Sequence, residues 1–436
     1  MAKKLSLLFL VSFLVSMLHA QQAKHVVLIT IDGFRPDFYL DEKWEAPNIR
    51  GLMNDGAYAK GVNSVFPSMT YPSHTTIVTG VQPARHGIYY NGMFEPNGST
   101  GKIYWNASSV KVPTIWEAAQ TKGLKAAALF WPVSADAKVS YNIPDIGSMG
   151  EGIRERYSKP TGFINTLKKE VFNGADKIEY GHDENVAKIA AYVIKKDKPN
   201  LMTIHFFWVD HIEHQEGREG DVVKAAVRDA DRGVGIIVNA LKEEGIWNNT
   251  VLIVTGDHGF VDVKTNVSPN VWLARAGLLT DVKTDDWKAQ FYTVGGSAYL
   301  YLKDKKDVNT LHQVQEMLGK LPAEERKLFR IIDRKQLDAA KANPEVALAL
   351  TGENGASFGG ASTGEATRPG KGGAHGYFPD FHEIQTGFVA TGPGIKKGGV
   401  IPAMNVRDIA PAVAKLLAFP FPSAEGKIPA GLLIKN

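Results

Sequence analysis

Asp210-His211-Ile212-Glu213-His214 and Asp257-His258-Gly259 each set carboxylate beside imidazole, with Ile31-Asp32-Gly33 near the start of the chain and His375-Gly376-Tyr377 near its end. Imidazole nitrogen and carboxylate oxygen are the ligands zinc takes in catalytic sites that keep one coordination position open. The spacing divides the candidates into two groups. Asp210 and His214, four apart in a short loop or single turn, reach one ion together with His375 from the far end. Asp32, Asp257 and His258 come from two other strand ends and hold a second ion. The 436 residues contain no cysteine, which fits a hydrolytic bimetal site and not a thiolate-bound structural zinc. A single Asp after a strand is most often a turn residue or a helix cap, so it is the conjunction that signals metals. His205, inside a strand pattern, and His211, beside better-spaced neighbours, stand apart from the ligands.

The elements that must position these residues alternate in type. His25 to Ile31 is an apolar run ending in Asp-Gly, the pattern of a buried parallel strand followed by a tight turn. Pro47 to Asn54 fits a short helix, Val112 to Lys122 a helix, and Lys125 to Phe130 a strand closed by Trp131-Pro132. Asp183 to Lys195 is amphipathic at helical spacing and feeds a strand over Leu201 to Val209. Asp221 to Glu243 is the next helix and Val251 to Thr255 the next strand, opening onto Asp257. This alternation predicts an α/β fold with a mostly parallel central sheet and helices on both faces, where ligand sites form at strand ends.

Pro72 suits the first turn of a helix beginning near Thr70, which puts Thr70 at or beside a cap whose free N–H groups can face an anion. From Asp262 onward the rhythm weakens. Tyr299 to Leu302 reads as a strand, and Val308 to Lys320 and Ala323 to Phe329 as helices of a smaller inserted region, about residues 262–372. The Gly-, Ser- and Thr-rich stretch from Thr351 to Gly373 reads as either a disordered surface loop or an active-site loop, and the position of His375 directly after it favours the second. Thr386 to Ala390 closes the sheet and Val406 to Leu417 forms a last helix. No internal repeat or linker separates a second domain, so residues 21–436 form one catalytic domain.

Lys3 and Lys4 precede an apolar run from Leu5 to Leu18, and Ala20 offers a small residue before Gln21: residues 1–20 have the form of a cleaved signal peptide, too short to span a membrane. The expectation is an exported, periplasmic or secreted, soluble protein. Loss of Lys3 and Lys4 takes the formal charge from +4 to +2, which argues against binding to a nucleic-acid polymer.

With these motifs on the page, the chain resembles the nucleotide pyrophosphatase/phosphodiesterase (type I phosphodiesterase) family of the alkaline phosphatase superfamily. The resemblance runs from about His25 to the end through Asp32, Phe66-Pro67-Ser68-Met69-Thr70-Tyr71-Pro72-Ser73-His74, Asp210 to His214, Gly256 to Gly259 and Gly373 to Tyr377. It implies two zinc ions, one surrounded by Asp32, Thr70, Asp257 and His258 and the other held by Asp210, His214 and His375. It implies that Thr70 is the nucleophile, forming a phosphothreonine, and that Asn91 hydrogen-bonds a non-bridging phosphate oxygen. Glu213 departs from the glycine common before the second ligand of that motif.

The resemblance further implies a small phosphodiester substrate such as a nucleotide derivative. Tyr71 matches an aromatic position that stacks on a nucleobase, and His205 stands where nucleotide-cleaving relatives carry tyrosine, which marks both as substrate-side residues. Alternatives are a glycerophosphocholine or phospholipase C-type diesterase, a phosphomonoesterase, a sulfatase or phosphoglycerate-mutase-like relative and a non-enzymatic metal-binding protein. A choline cage would draw on Glu184, Glu213 and Tyr90; a phosphomonoester site would need Arg368, Lys371 or Lys111 beside the phosphate.

Overall fold

Strand β1 (His25–Ile31) lies at the centre of the largest sheet. In chain order the other members are β2 (Ala57–Val62), β3 (Ala126–Trp131), β4 (Tyr141–Pro144), β5 (Leu201–Phe206), β6 (Thr250–Thr255), β7 (Thr386–Thr391) and β8 (Gly399–Ile401), and they lie side by side as β8-β2-β7-β6-β1-β5-β3-β4. Only β7 runs antiparallel to its neighbours β2 and β6. The computed structural model describes residues 22–146 and 149–434, so the leader expected over residues 1–20 lies outside the described residues.

Register decides where the ligands emerge. Ile31 pairs with Phe206 and Thr30 with Thr255, which brings the C-terminal ends of β1, β5 and β6 level. Asp32, the segment after Phe206, and Asp257 with His258 therefore leave the sheet at one edge, the place where open parallel sheets bind ligands.

Strand alternation sends β1 side chains to two cores. Val27, Ile29 and Ile31 pack with helices α3 (Asp183–Asp197) and α5 (Asp221–Glu243) on one face. Val26 and Leu28 pack on the other face with α1 (Thr70–Thr79), α2 (Ile115–Thr121) and α6 (Ile409–Leu416). Helix α4 (Trp208–Glu216) follows β5 directly.

Between β6 and β7 the chain builds a second sheet of four antiparallel strands, Ala289–Val294, Ser297–Leu302, Leu348–Gly352 and Phe329–Ile332, over a core that includes Trp272, Leu300 and Leu350.

Several elements differ from the sequence pattern for identifiable reasons. The strand expected over Leu201 to Val209 stops at Phe206, because the buried Asp183 carboxylate accepts the Phe207 and Trp208 N–H groups at 3.0 and 3.3 Å and starts a helix there. Asp210 and His214 consequently sit on α4, not in a loop. A Thr114–Glu117 capping box moves the helix start expected at Val112 to Ile115. The helix expected through Phe329 ends at Arg326, since Phe329 pairs with Gly352. The stretch from Thr351 to Gly373 contains short strands Ala356–Phe358 and Thr367–Pro369, both paired with Thr265–Val267, so it is largely a laced surface and not one loop.

Candidate metal centre and active site

Two ligand groups converge at the edge where β1, β5 and β6 end. Asp32, Asp257 and His258 form one, and Asp210, His258 and His375 the other, the ligand atoms of each lying within 4.8 Å of one another. His258 Nε2 lies 3.1 Å from both Asp32 Oδ1 and Asp257 Oδ2. Asp210 Oδ1 lies 3.5 Å from His214 Nε2 and 3.7 Å from His375 Nε2. Sequence spacing assigns His258 to one group; the fold places it between both.

The three histidines are oriented by backbone carbonyls. Nδ1–H of His214 donates to Gly373 O at 3.1 Å, that of His375 to Ser68 O at 3.0 Å, and that of His258 to Gly259 O at 3.2 Å. A carbonyl can only accept, so each Nδ1 carries the proton and each Nε2 presents a lone pair. These lone pairs face carboxylate oxygens. Asp32 Oδ1, Asp210 Oδ1, Asp257 Oδ2 and His258 Nε2 are all buried without a hydrogen-bond partner among the described residues.

The electrostatics agree. Burial, then Asp210 and Asp257, push the Asp32 carboxyl well above its ordinary range; burial and Asp210 push Asp257 up to about 7. Burial, then His375 and His214, hold the His258 imidazole well below its ordinary range, and burial with His214 takes His375 down to about 3. Acceptors crowded together without a charge of opposite sign disfavour one another, and a divalent cation reverses that balance. The donor set, carboxylate and imidazole only, suits zinc.

Thr70 opens α1 and is buried beside this cluster. Ser68, two residues before it, orients His375; His74, four residues after it, places Nδ1 3.6 Å from Asp257 Oδ2 and donates from Nδ1 to Thr70 O at 2.8 Å. The segment carrying Thr70 is thus pinned to one ligand group on one side and to the other group on the other. Asn91 Oδ1 accepts the Tyr71 N–H at 2.9 Å, which fixes its amide at the N-terminal turn of α1 and leaves the NH2 group to donate to an anion.

The two residues expected on the substrate side, Tyr71 and His205, are both buried. Tyr71 is 7% exposed, packs with Ile88 and Val133 and donates its hydroxyl to Asp145 O at 3.1 Å. Thr70, the residue before it, is buried to the same extent. His205 lies inside β5, bonded to Thr30 through Nδ1 and 3.5 Å from Asp32 Oδ2 through Nε2. It backs Asp32 from beneath because strand alternation turns it into the sheet. The choline residues are engaged elsewhere: Glu184 pairs with Arg232, Glu213 with Arg35, and Tyr90 with Tyr301. Arg368, Lys371 and Lys111 are exposed.

Sequence reasoning missed the residues that orient the ligands. Ser68 and Gly373 act through carbonyls, which carry no sequence signal. Gly372 and Gly373 lie against α4: a Cβ on Gly372 would stand 2.1 Å from His214 O and one on Gly373 2.6 Å from Glu213 O. Glycine at the end of the Thr351 to Gly373 stretch thus allows the His375 strand to approach the ligand helix.

The sheet order defines an alkaline phosphatase-like α/β protein, and two carboxylate–histidine groups that could hold metal lie at the edge of its sheet. The family model described as type I phosphodiesterase / nucleotide pyrophosphatase matches residues 26–378, and the chain belongs to that family. It is 26% identical over 391 residues to venom phosphodiesterase 2 of Crotalus adamanteus, covering 85% of this chain and 42% of the relative. It is 30% identical over 240 residues to human ectonucleotide pyrophosphatase/phosphodiesterase family member 5, covering 54% of this chain and 44% of the relative. The chain therefore spans about two fifths of the length of these curated relatives. Among solved structures, human family member 5 superposes with a TM-score of 0.69 at 22% identity, covering 92% of this chain and 97% of that one. An inactive threonine-to-alanine variant of the murine protein in complex with AMP superposes with a TM-score of 0.68 at 24% identity, covering 93% and 97%.

Proposed function

We propose that this protein is an exported two-zinc phosphodiesterase that hydrolyses phosphodiester or phosphoanhydride bonds of small nucleotide derivatives through Thr70. The observation that carries this reading is the set of buried, unpartnered ligand atoms of Asp32, Asp210, Asp257 and His258, gathered against the helix that Thr70 opens. Asp32, Asp257 and His258, with Thr70, would hold one ion and Asp210, His214 and His375 the other, with His258 within reach of both. Bound there, the ions supply Lewis acidity: they favour the Thr70 alkoxide, neutralise charge on the phosphoryl group and activate water.

The chain's own residues do the rest. Thr70 Oγ1 attacks phosphorus, its proton passes to solvent, and the P–O bond to the leaving alcohol or nucleotide breaks to give a phosphothreonine. The Asn91 NH2 group and the N-terminal N–H groups of α1 donate to the non-bridging oxygens, where charge accumulates in the transition state. Water then cleaves the phosphothreonine and restores the hydroxyl. His74, through its bond to Thr70 O, holds the nucleophile's backbone in place.

One observation favours a diester over a monoester, and a second favours a nucleotide. The candidate cations Arg368, Lys371 and Lys111 are solvent-exposed, and none contacts Thr70, Asn91 or a metal-type ligand among the described residues. The murine neighbour's complex with AMP supports a nucleotide substrate class. Export rests on the Lys3-Lys4 and Leu5 to Leu18 leader; no helix of the described residues is long and apolar enough to cross a membrane.

The test is a zinc-loaded activity panel on p-nitrophenyl thymidine monophosphate, ATP, a dinucleotide, glycerophosphocholine and p-nitrophenyl phosphate. The expected result is turnover of the nucleotide diesters above the others, abolished by Thr70→Ala. Near-normal turnover by Thr70→Ala would sink the nucleophile assignment, and preference for glycerophosphocholine or p-nitrophenyl phosphate would replace the substrate class.

A further inference from the structure

Glu213 is fully buried on α4, three residues after Asp210 and one before His214. Its Oε1 lies 3.3 Å from Arg35 Nε, and Arg35 is itself 1% exposed. Arg35 stands three residues after Asp32, in the turn that ends β1. Its guanidinium sits 4.5 Å from the centre of the Phe38 ring and 5.1 Å from that of Trp44, with Asp37 Oδ2 3.2 Å away. The rings and the second carboxylate fix the arginine, so the arginine can fix Glu213.

The other Glu213 oxygen lies against the turn as well. A Cβ on Gly33 would stand 2.7 Å from Glu213 Oε2 and 3.0 Å from the Phe260 ring. The Glu213 backbone meets Gly373, two residues before His375. The Glu213 side chain therefore joins the ligand helix to the Asp32 turn, and its backbone lies against the strand leading to His375. Just beyond α4, Arg218 adds a second tie, donating to Phe260 O and, at 3.2 Å, to Glu383 O.

We propose that Glu213, clamped by Arg35, is a positioning residue that sets the spacing of the two metal sites by strapping α4 to the Asp32 turn. The proposal rests on the two-zinc reading above. A buried ion pair is a poor source of net stability compared with apolar residues of the same size, so its position between two ligand segments points to geometry. Groups behind the ligands that hold their orientation are worth about 10- to 100-fold in metal affinity.

The full chain, freed of metal, is titrated with zinc against a chromophoric chelator as wild type, Glu213→Gln and the double variant Arg35→Met with Glu213→Leu. Wild type is expected to bind two ions. Glu213→Gln and the double variant are expected to bind at least one of them about 10- to 100-fold more weakly. The double variant removes both fully buried charges and leaves Asp37, partly exposed and bonded to Trp44 Nε1; it is expected to keep the metal-free melting temperature near wild type and so answers the question if Glu213→Gln does not fold. Wild-type affinity for both ions in the folded variants, or a change confined to the metal-free melting temperature, would overturn the proposal while leaving the two-zinc reading intact. A wild type that binds no zinc overturns both.

Discussion

His258 and His375 stack face to face, ring centres 3.7 Å apart and planes 8° from parallel. The stack joins the two ligand groups, since His258 approaches Asp32 and Asp257 on one side while both rings approach Asp210 on the other. Two neutral imidazoles, each with Nδ1–H on a carbonyl, can pack this closely without charge repulsion.

This predicts unequal effects of removing histidines. His258→Ala should lower the affinity for both ions, whereas His214→Ala, at a side chain that is 44% exposed and belongs to one side only, should lower the affinity for one. Turnover should fall at least about 100-fold in His258→Ala, the upper range seen for groups merely behind the ligands. Zinc stoichiometry by elemental analysis, with turnover on p-nitrophenyl thymidine monophosphate, checks it; loss of a single ion from His258→Ala would contradict the shared position.

Asp183 gives a pH-dependent prediction. Burial, with Asp229 adding to it, pushes its carboxyl up to about 8. A carboxyl whose folded pKa exceeds its unfolded value of about 3.9 stabilises the fold most below that value, and the contribution is lost as pH rises through the folded pKa. Asp183→Asn keeps an oxygen to accept the Phe207 and Trp208 N–H groups and removes the titration. Relative to wild type, the asparagine variant should gain stability from about pH 4 to pH 9, at about 1.4 kcal/mol per unit of pKa shift. Urea unfolding across that range is the measurement, and parallel profiles for the two proteins would refute it.

Tyr71 separates packing from recognition. With its ring in the interior, Tyr71→Phe should cost about 1 kcal/mol, the worth of the hydroxyl bond to Asp145 O, and leave the preference for nucleotide over small aryl diesters unchanged. Tyr71→Ala should cost about 3–5 kcal/mol through the cavity it leaves. Melting curves and the ratio of kcat/KM for p-nitrophenyl thymidine monophosphate to bis-p-nitrophenyl phosphate decide this. A large change in that ratio for Tyr71→Phe would restore the residue to the substrate side.

The candidate ligands Asp32 and Asp257 were legible in the sequence because each follows a run of apolar residues that a buried strand explains: His25 to Ile31 before Asp32, and Val251 to Thr255 before Asp257. The helix Asp221–Glu243 was equally plain from its periodicity. What periodicity does not carry is which way a residue turns at a boundary. Phe206-Phe207-Trp208-Val209 continues an aromatic and apolar pattern through a change of element that Asp183, far away in sequence, imposes. The same limit applies to Tyr71 and His205, whose residue types do not signal how deeply they are buried. Arg35 and Glu213 were invisible as a pair, since only the register of β1 with β5 brings their segments together.

Gly372 permits the last prediction. Its φ of +73° and the 2.1 Å gap between a Cβ and His214 O are two separate reasons for glycine. Gly364 isolates the first: its φ is +84°, but a Cβ there meets nothing within 4 Å. Gly364→Ala should therefore pay only the left-handed backbone strain, about 1–2 kcal/mol, and retain zinc affinity. Gly372→Ala must also push the strand leading to His375 away from α4, stretching the His214 Nδ1–Gly373 O bond, and so should weaken zinc binding about 10-fold or more in addition to lowering the melting temperature. If both variants lose stability equally and bind zinc like wild type, the close approach of the two segments has no part in building the centre.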